Sequence, residues 1–162
     1  MKNILIILLA CTLSTVAFSD GHKAHEKSVL AALDKYFAAR NSGDFATVVA
    51  LESASGTYNT NSDGSFHKPV AKTSQEDWES TFQQGTLTQV HYPEAAALSD
   101  DVVLVRFYAE GMISSGGKAS PYRTRVTMTW VKEKGGWVVK SSHYSSAAYG
   151  GVHKTQARDF ED

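Results

Sequence analysis

The chain has 162 residues, a formal net charge of −1 from 16 Lys and Arg against 17 Asp and Glu, and a single cysteine, Cys11. This length predicts one domain with one core, and the scattered charge argues against nucleic-acid and membrane-surface binding. Disulfides, thiol nucleophiles and cysteine metal sites are excluded from the rest of the chain.

The first 19 residues have the pattern of a secretory signal peptide. Lys2 precedes an uncharged apolar run over residues 4–17, and small residues lead up to Ser19. The run is shorter than the roughly 20 apolar residues that span a bilayer, which disfavours a membrane anchor. Leu8-Leu9-Ala10-Cys11 resembles a lipoprotein signal and leaves that alternative open. We expect residues 1–19 to be a cleaved leader and the protein to be exported, either periplasmic or secreted.

Helical spacing of apolar residues predicts a first helix from about His25 to Asn41. The stripe consists of Val29, Leu30, Leu33 and Phe37. Gly43 stands where a C-cap glycine belongs, and Asp44 can accept the free amides that begin a second, shorter helix. A third helix is predicted to begin at the capping box Thr73-Ser74-Gln75-Glu76, carrying Trp78 and Phe82 and ending near Gly85.

Alternating residues predict strands between and after these helices. The predicted strands cover residues 56–60, 65–68, about 86–92, 102–113 and 122–132, followed by a last strand that begins at Trp137. A three-residue loop, Glu133-Lys134-Gly135, is expected to join the last two strands and to pair Arg125 with His143. The predicted fold class is α+β, with a curved antiparallel sheet wrapped around a long N-terminal helix and about three helices packed on the sheet.

With its elements in this order, the chain resembles the SnoaL-like branch of the nuclear transport factor two superfamily, a cone-shaped fold shared by polyketide cyclases, ketosteroid isomerase and kinase association domains. The segment from Tyr36 to Asp44, YFAARNSGD, is similar to the family's junction of the first two helices, and Gly136-Trp137 is followed by His143 and Ser145. The resemblance covers residues 20–149 as one domain, which leaves 150–162 as a polar tail. It implies a ligand pocket at the mouth of the cone and a homodimer, but fold does not determine chemistry.

The strand over residues 102–113 resembles the arginine-bearing pocket strand of the kinase association domains. One face carries Arg106, Tyr108 and Glu110 at two-residue steps, and the other face is apolar. If the polar face is the inner one, Arg106 is expected to hold a carboxylate or phosphate through its planar fork. The other expected lining residues are Met128, Tyr144, Tyr58, Trp78 and Phe37. The alternative, an ordinary solvated or dimer-forming outer face, stays open.

The candidates for acid–base chemistry are Glu110, Tyr108 and His143. The predicted pairing places His143 on the face away from Arg106, which favours a structural histidine. Glu52 is the acid nearest to the position where the ketosteroid isomerase branch has its base, and we expect Glu52 at a helix end. The sequence thus predicts a small organic ligand in the cone. An enzyme of the cyclase, dehydratase or isomerase type and a non-catalytic interaction module are the alternatives.

Cleavage after Ser19 would leave a mature chain that begins Asp20-Gly21-His22. Its free amine, two backbone amides and the His22 imidazole would offer copper(II) or nickel(II) four nitrogens in a plane. His22 is therefore a candidate copper ligand that depends on the cleavage site, and no other cofactor is expected.

Overall fold

The computed structural model describes residues 2–60, 68–81, 87–115 and 118–146. Over these residues the elements are α1 (Lys2–Ser42), α2 (Phe45–Ala50), β1 (Tyr58–Thr60), α3 (Gln75–Thr81), β2 (Leu87–Ser99), β3 (Val102–Ser115), β4 (Lys118–Glu133) and β5 (Gly136–Ser146). The expected helical position of Phe82, most of the return strand at 65–68 and the tail 150–162 lie outside the described residues. Within the described part of the chain, no helix has the length and apolar character needed to cross a membrane.

The strands form one mixed sheet in the order β1-β5-β4-β3-β2. Strands β2 to β5 are an antiparallel meander, as predicted, whereas β1 runs parallel to β5 with Tyr58 opposite Ser141. The predicted antiparallel sheet is therefore confirmed for β2 to β5, and β1 adds one parallel strand at its edge. A tight hairpin forces neighbouring strands to be antiparallel, but β1 and β5 are separated by α3 and the whole meander, so this constraint does not apply to them.

Helix α1 fills the concave face of the sheet and forms the core with it. The buried residues that meet there are Val29, Leu33, Tyr36, Phe37 and Ala39 from α1, Val103, Val105, Phe107 and Ala109 from β3, and Val126, Met128 and Trp130 from β4. Phe37 packs edge-to-face on Phe107 with 5.3 Å between ring centroids. The predicted helical stripe is confirmed, but α1 begins at Lys2 and so includes the residues of the predicted leader. Export stays a prediction.

Side chains of α1 bind the backbone of strand β2 near both of its ends. Asn41 donates from Nδ2 to the Thr88 carbonyl at 2.7 Å and accepts from the Thr88 amide at 2.9 Å. Glu26 accepts from the Ala97 amide at 3.0 Å. These bonds fix the helix along the strand, and they give the asparagine of the helix junction a structural role.

The predicted caps are present, with one change. Gly43 has φ 77° at the end of α1, and the Asp44 carboxylate accepts from the Thr47 amide at 3.1 Å. At the start of α3 the capping pair is Ser74 and Asp77 rather than Thr73 and Glu76, because the Asp77 amide donates to the Ser74 hydroxyl at 3.1 Å. The predicted capping box therefore lies one residue too close to the N-terminus.

The β4–β5 hairpin has a two-residue turn instead of the predicted three-residue loop. Glu133 pairs with Gly136, and both Lys134 and Gly135 have positive φ, 49° and 83°. Two consecutive left-handed residues are typical of the type I′ turn, whose twist matches that of the flanking strands. The shorter turn moves the pairing by one residue.

A register shift between Thr129 and Trp130 moves the pairing by one residue more. His143 therefore lies opposite Thr127 and not opposite Arg125 as predicted. Between the hairpin turn and the register shift, the strand pairing differs from the predicted pairing by a single residue. Val139 therefore lies on the buried face, opposite Trp130.

Candidate functional site

The polar row of β3 lies on the outer face of the sheet, so its predicted place inside the cone is wrong. Arg106 and Glu110 are exposed and Tyr108 is 54% exposed, whereas the alternate residues of the strand are buried against α1. Arg106 pairs with Glu94 across to β2, and Arg123 Nη2 lies 2.6 Å from Glu110 Oε1. The apolar face turns inward because α1 offers an apolar stripe to cover it.

His143 is exposed on the same outer face. Arg106 pairs with Thr127, which pairs with His143, so the three residues form one row across β3, β4 and β5. The prediction that His143 and Arg106 lie on opposite faces is therefore wrong. Glu110, Tyr108 and His143, the predicted acid–base candidates, all point away from the cone.

The other predicted lining residues divide between the two sides of the sheet. Phe37 and Met128 are buried in the core, and Trp78 and Tyr144 are half-buried and pack against it. Tyr58 is 55% exposed, and Lys140 Nζ lies 5.4 Å from its ring centroid. The predicted lining residues that face the interior thus come from α1, α3, β4 and β5.

Arg40 of α1 is at the centre of these interior side chains. Its guanidinium carbon lies 5.1 Å from the ring centroids of both Phe37 and Trp78, and 5.7 Å from that of Tyr36. Its Nη1 donates to the Tyr144 hydroxyl at 3.2 Å. Cation–π contacts of this kind strengthen as water is removed from the cation. The charged guanidinium group of Arg40 therefore lies among aromatic rings on the core side of the helix.

Glu52 supplies a carboxyl group beside this arginine. The Tyr36 hydroxyl donates to Glu52 Oε1 at 2.9 Å. The backbone on either side of Glu52 is fixed on β5, because Val139 donates to Leu51 at 2.8 Å and accepts from Ser53 at 2.9 Å. Glu52 directly follows the C-cap of α2, as expected, and is also a bridge residue attached to the sheet. We call Tyr36, Arg40, Glu52, Trp78 and Tyr144 the Arg40 cluster.

The protonation equilibria of the cluster differ from those of free side chains. Burial raises the pKa of the Glu52 carboxyl, although the donors Tyr36 and Trp78 and the charge of Arg40 act to lower it. Burial also raises the pKa of Tyr36 well above its usual range. Burial acts to lower the pKa of Arg40, but Tyr144 and Tyr36 outweigh it and the net direction is upward. The cluster therefore combines a permanent cation, a neutral hydroxyl donor and a carboxyl that is more basic than usual.

The raised pKa of Glu52 predicts a pH-dependent gain in stability for the Glu52→Gln variant. The folded state binds the Glu52 proton more tightly than the unfolded state, so this group's contribution is fully present below the unfolded pKa. The contribution is lost as pH rises through the folded pKa. At neutral pH we expect the variant to melt roughly 2–4 °C higher than the wild type, the shift that about 1 kcal/mol produces in a domain of this size. Thermal unfolding between pH 4 and pH 8 measures this gain, which should disappear at the acid end.

Glu133→Gln is the matched control, because the pKa of Glu133 is lowered by its bond from Ser53. Removing the Glu133 carboxylate should lower the melting temperature of the protein at neutral pH, which is the opposite of the change expected for Glu52→Gln. A Glu52→Gln variant that is less stable than the wild type at pH 7, or a gain independent of pH, would show that the carboxyl is not strained by burial.

Arg40 and Glu52 were not among the predicted lining residues, and for different reasons. Arg40 continues the stripe of Val29, Leu33 and Tyr36 at helical spacing, so a charge on the apolar face of α1 was a signal available in the sequence. Glu52 gave no such signal, because its burial depends on contacts with β5 and α3 that are distant in the chain.

His22 is half-buried within α1, and its Nε2 lies 3.7 Å from Asp100 Oδ1. The predicted copper site requires a free amine at residue 20, so it stays a prediction about the cleaved chain. In the residues for which side chains are described, no group of three or more His, Cys, Asp or Glu is arranged to hold a metal ion.

Comparisons with known proteins agree with this architecture. The model of the SnoaL-like domain family matches residues 29–149. The association domain of CaMKII from C. elegans is 18% identical, with a TM-score of 0.63 over 78% of this chain and 99% of that one. A candidate scytalone dehydratase from Novosphingobium aromaticivorans is 14% identical, with a TM-score of 0.67 over 80% and 88%. No curated protein matches the chain.

An NTF2-like protein of unknown function from Pseudomonas putida KT2440 is 14% identical, with a TM-score of 0.63 over 83% of this chain and 94% of that one. At such identities the likeness to solved structures shows the fold alone. The chemistry of the site must be argued from its own residues.

Proposed function

The chain belongs to the SnoaL-like domain family, and from this membership and the Arg40 cluster we propose that its cone binds a small organic molecule with an anionic or strongly polar end. Arg40 is the observation that carries the proposal. A guanidinium on the core side of a helix is costly unless its charge is used. Its planar fork matches a carboxylate or phosphate.

The exposure of the cluster supports access by a ligand. Arg40, Trp78 and Tyr144 are half-buried, whereas their neighbours Phe37 and Met128 are buried. The cluster thus has an apolar floor and a side that water reaches. Binding sites for small molecules commonly combine apolar walls with a few convergent polar groups.

Removing the Arg40 charge is expected to abolish binding of anionic ligands. We would screen small aromatic and aliphatic carboxylates, each with its neutral amide, by thermal shift and titration against the wild type. The Arg40→Met variant keeps an unbranched apolar side chain among the rings but removes the donors. We expect a loss in affinity of about 10- to 100-fold for the carboxylates, the range given by hydrogen bonds to charged groups. The amides should bind weakly to both proteins.

Arg106→Met on the outer face is the matched control and should leave the affinities unchanged. An equal loss in both variants, or a loss in Arg106→Met alone, would contradict the placement of the ligand at Arg40. Circular dichroism of each variant establishes that it is folded.

An acid–base enzyme that uses the same site is the second candidate function. The observation in its favour is the raised pKa of Glu52 beside the Tyr36 hydroxyl, since a carboxyl with elevated basicity is suited to proton transfer near neutral pH. In an enzyme, Glu52→Gln would keep ligand binding and lose turnover. If the protein only binds its ligand, neither the wild type nor the Glu52→Gln variant would show turnover.

We also propose that the protein is exported and forms a homodimer through the outer face of the sheet. The leader pattern of residues 1–19 supports export. Structural likeness to an association domain of CaMKII supports assembly. A non-catalytic interaction module would use the same face. A native mass spectrum of protein exported from a leader-cleaving host reports the mature N-terminus, the oligomer mass, any copper at His22 and any retained ligand.

A further inference from the structure

A groove of about 690 Å³ lies outside the core, between α1, the end of α2 and the β4–β5 hairpin. Its apolar lining includes Ala31, Ala32, Val49, Leu51, Trp137 and Val138. We propose that this groove binds a free aliphatic carboxylate, with the acyl chain on the apolar lining and the carboxylate at a rim of lysines. The volume is within the usual range for small-molecule sites.

The groove is separate from the Arg40 cluster, because the two use different faces of α1. Ser28, Ala32 and Lys35 line the groove, whereas Tyr36 and Arg40 face the core. At 3.6 residues per turn these two sets lie about a quarter of a turn apart around the helix. Glu52, at the boundary between the two sites, contributes to the lining of both.

Part of the lining of the groove is made by small, exposed side chains. Ala31, Ala50, Ala54 and Ala71 contribute to it, and each adds a single methyl group. The volume exists because no long side chain from these positions fills it. The lining is mainly apolar, so a flexible hydrocarbon chain fits its chemistry better than a sugar or a peptide.

The charge at the rim selects an anion. Lys35, Lys72 and Lys134 are exposed around the opening, and none of them forms an ion pair with another residue in the described ranges. Two carboxyl groups, those of Glu52 and Glu133, also line the groove, and Glu133 accepts from the Ser53 hydroxyl at 2.7 Å and from the Ala54 amide at 3.2 Å. The three lysines outnumber these two carboxyl groups, so the rim has an excess of positive charge next to an apolar lining, which is the complement of an amphiphilic anion.

Calorimetric titration of the full chain with decanoate tests the proposal, with decanol as the uncharged probe. We expect decanoate to bind the wild type at least about tenfold more tightly than decanol does, as charged hydrogen bonds to the rim would give. The triple variant Lys35→Met, Lys72→Met, Lys134→Met should lose that preference. Ala31→Phe, at an exposed position, should fill the groove and weaken both probes.

Two controls locate the binding. Lys27→Met removes an exposed lysine of α1 outside the groove and should leave the decanoate affinity unchanged. In the Arg40→Met background decanoate should still bind, and its binding should still depend on the three lysines, which separates this site from the proposed ligand site in the cone. Decanoate affinity that falls in Arg40→Met but not in the triple variant, or equal binding of decanoate and decanol, would overturn the proposal.

Discussion

Replacing Trp130 with alanine is expected to destabilise the protein by about 3–5 kcal/mol, the cost of truncating a large aromatic side chain in a core. Trp130 is fully buried near the C-terminal end of β4, and its ring meets that of Tyr36 edge-to-face with 6.2 Å between centroids. Its strand neighbours Val103 and Val139 are buried as well. Because the surrounding side chains belong to a rigid helix and a continuous sheet, they cannot collapse into the space left behind.

A domain with a total stability of about 5–15 kcal/mol would lose about a fifth of it or more through this one substitution. Urea unfolding at pH 7 measures the change. Trp137→Ala is the matched control, because Trp137 is half-buried beside the hairpin turn and its removal leaves a gap that water can enter. Equal losses for the two variants would mean that the core is not centred on β4.

Replacing Gly111 with alanine is expected to cost about 3 kcal/mol, the upper end of what overpacking costs. A β-carbon at this position would lie 1.9 Å from the Leu87 carbonyl oxygen and 3.1 Å from the Thr88 α-carbon. These are backbone atoms of the paired strand, so no side-chain rotation relieves the clash. Strand β2 would have to move away from β3 at the place where Asn41 holds Thr88.

The comparison for this prediction is Gly135→Ala. Gly135 has φ 83° and no atom within 4 Å of an added β-carbon, so its cost is backbone strain of about 1–2 kcal/mol. Thermal and urea unfolding of both variants separate steric clash from backbone strain. If Gly111→Ala proves no more damaging than Gly135→Ala, strands β2 and β3 are less tightly paired than described.

The order of the elements was predictable because each has a local signal. The apolar stripe of α1, the Asp44 cap and the alternation of β3 and β4 all depend on residues close in the chain. The exception among the strands is β2, predicted to end near Tyr92 but continuing to Ser99. Pro93 does not end the strand, because it lies within a register shift on an edge strand, where a missing amide is tolerated.

The two faces of β3 were predicted correctly, but inside and outside were reversed. Alternation separates Arg106 from Phe107 and says nothing about which face is covered. The resemblance to a pocket strand favours the polar face as the inner one. The continuous apolar set on the other face favours the opposite orientation, which the structure has. The ion pairs that explain the polar row, with Glu94 and Arg123, join different strands and so have no local pattern.

Part of the Arg40 cluster was predictable from the sequence, but its charged groups were not. Phe37, Trp78 and Tyr144 were named as lining residues, and they surround or contact the guanidinium of Arg40. Arg40 was not predicted as a lining residue. It lies in the segment from Tyr36 to Asp44, whose resemblance to the family indicates the fold and not a binding role. Glu52 became a candidate through its contact with Tyr36, which joins residues on two different elements.

The contact of α1 with β2 has a consequence for aggregation. An edge strand with free amides and carbonyls is a template on which a foreign chain can extend the sheet. On β2, Asn41 occupies both backbone groups of Thr88, Glu26 occupies the amide of Ala97, and Pro93 has no amide to offer. A strand from another molecule would have to displace these side chains before it could pair. The helix that fills the core therefore also protects this edge against the growth of filaments.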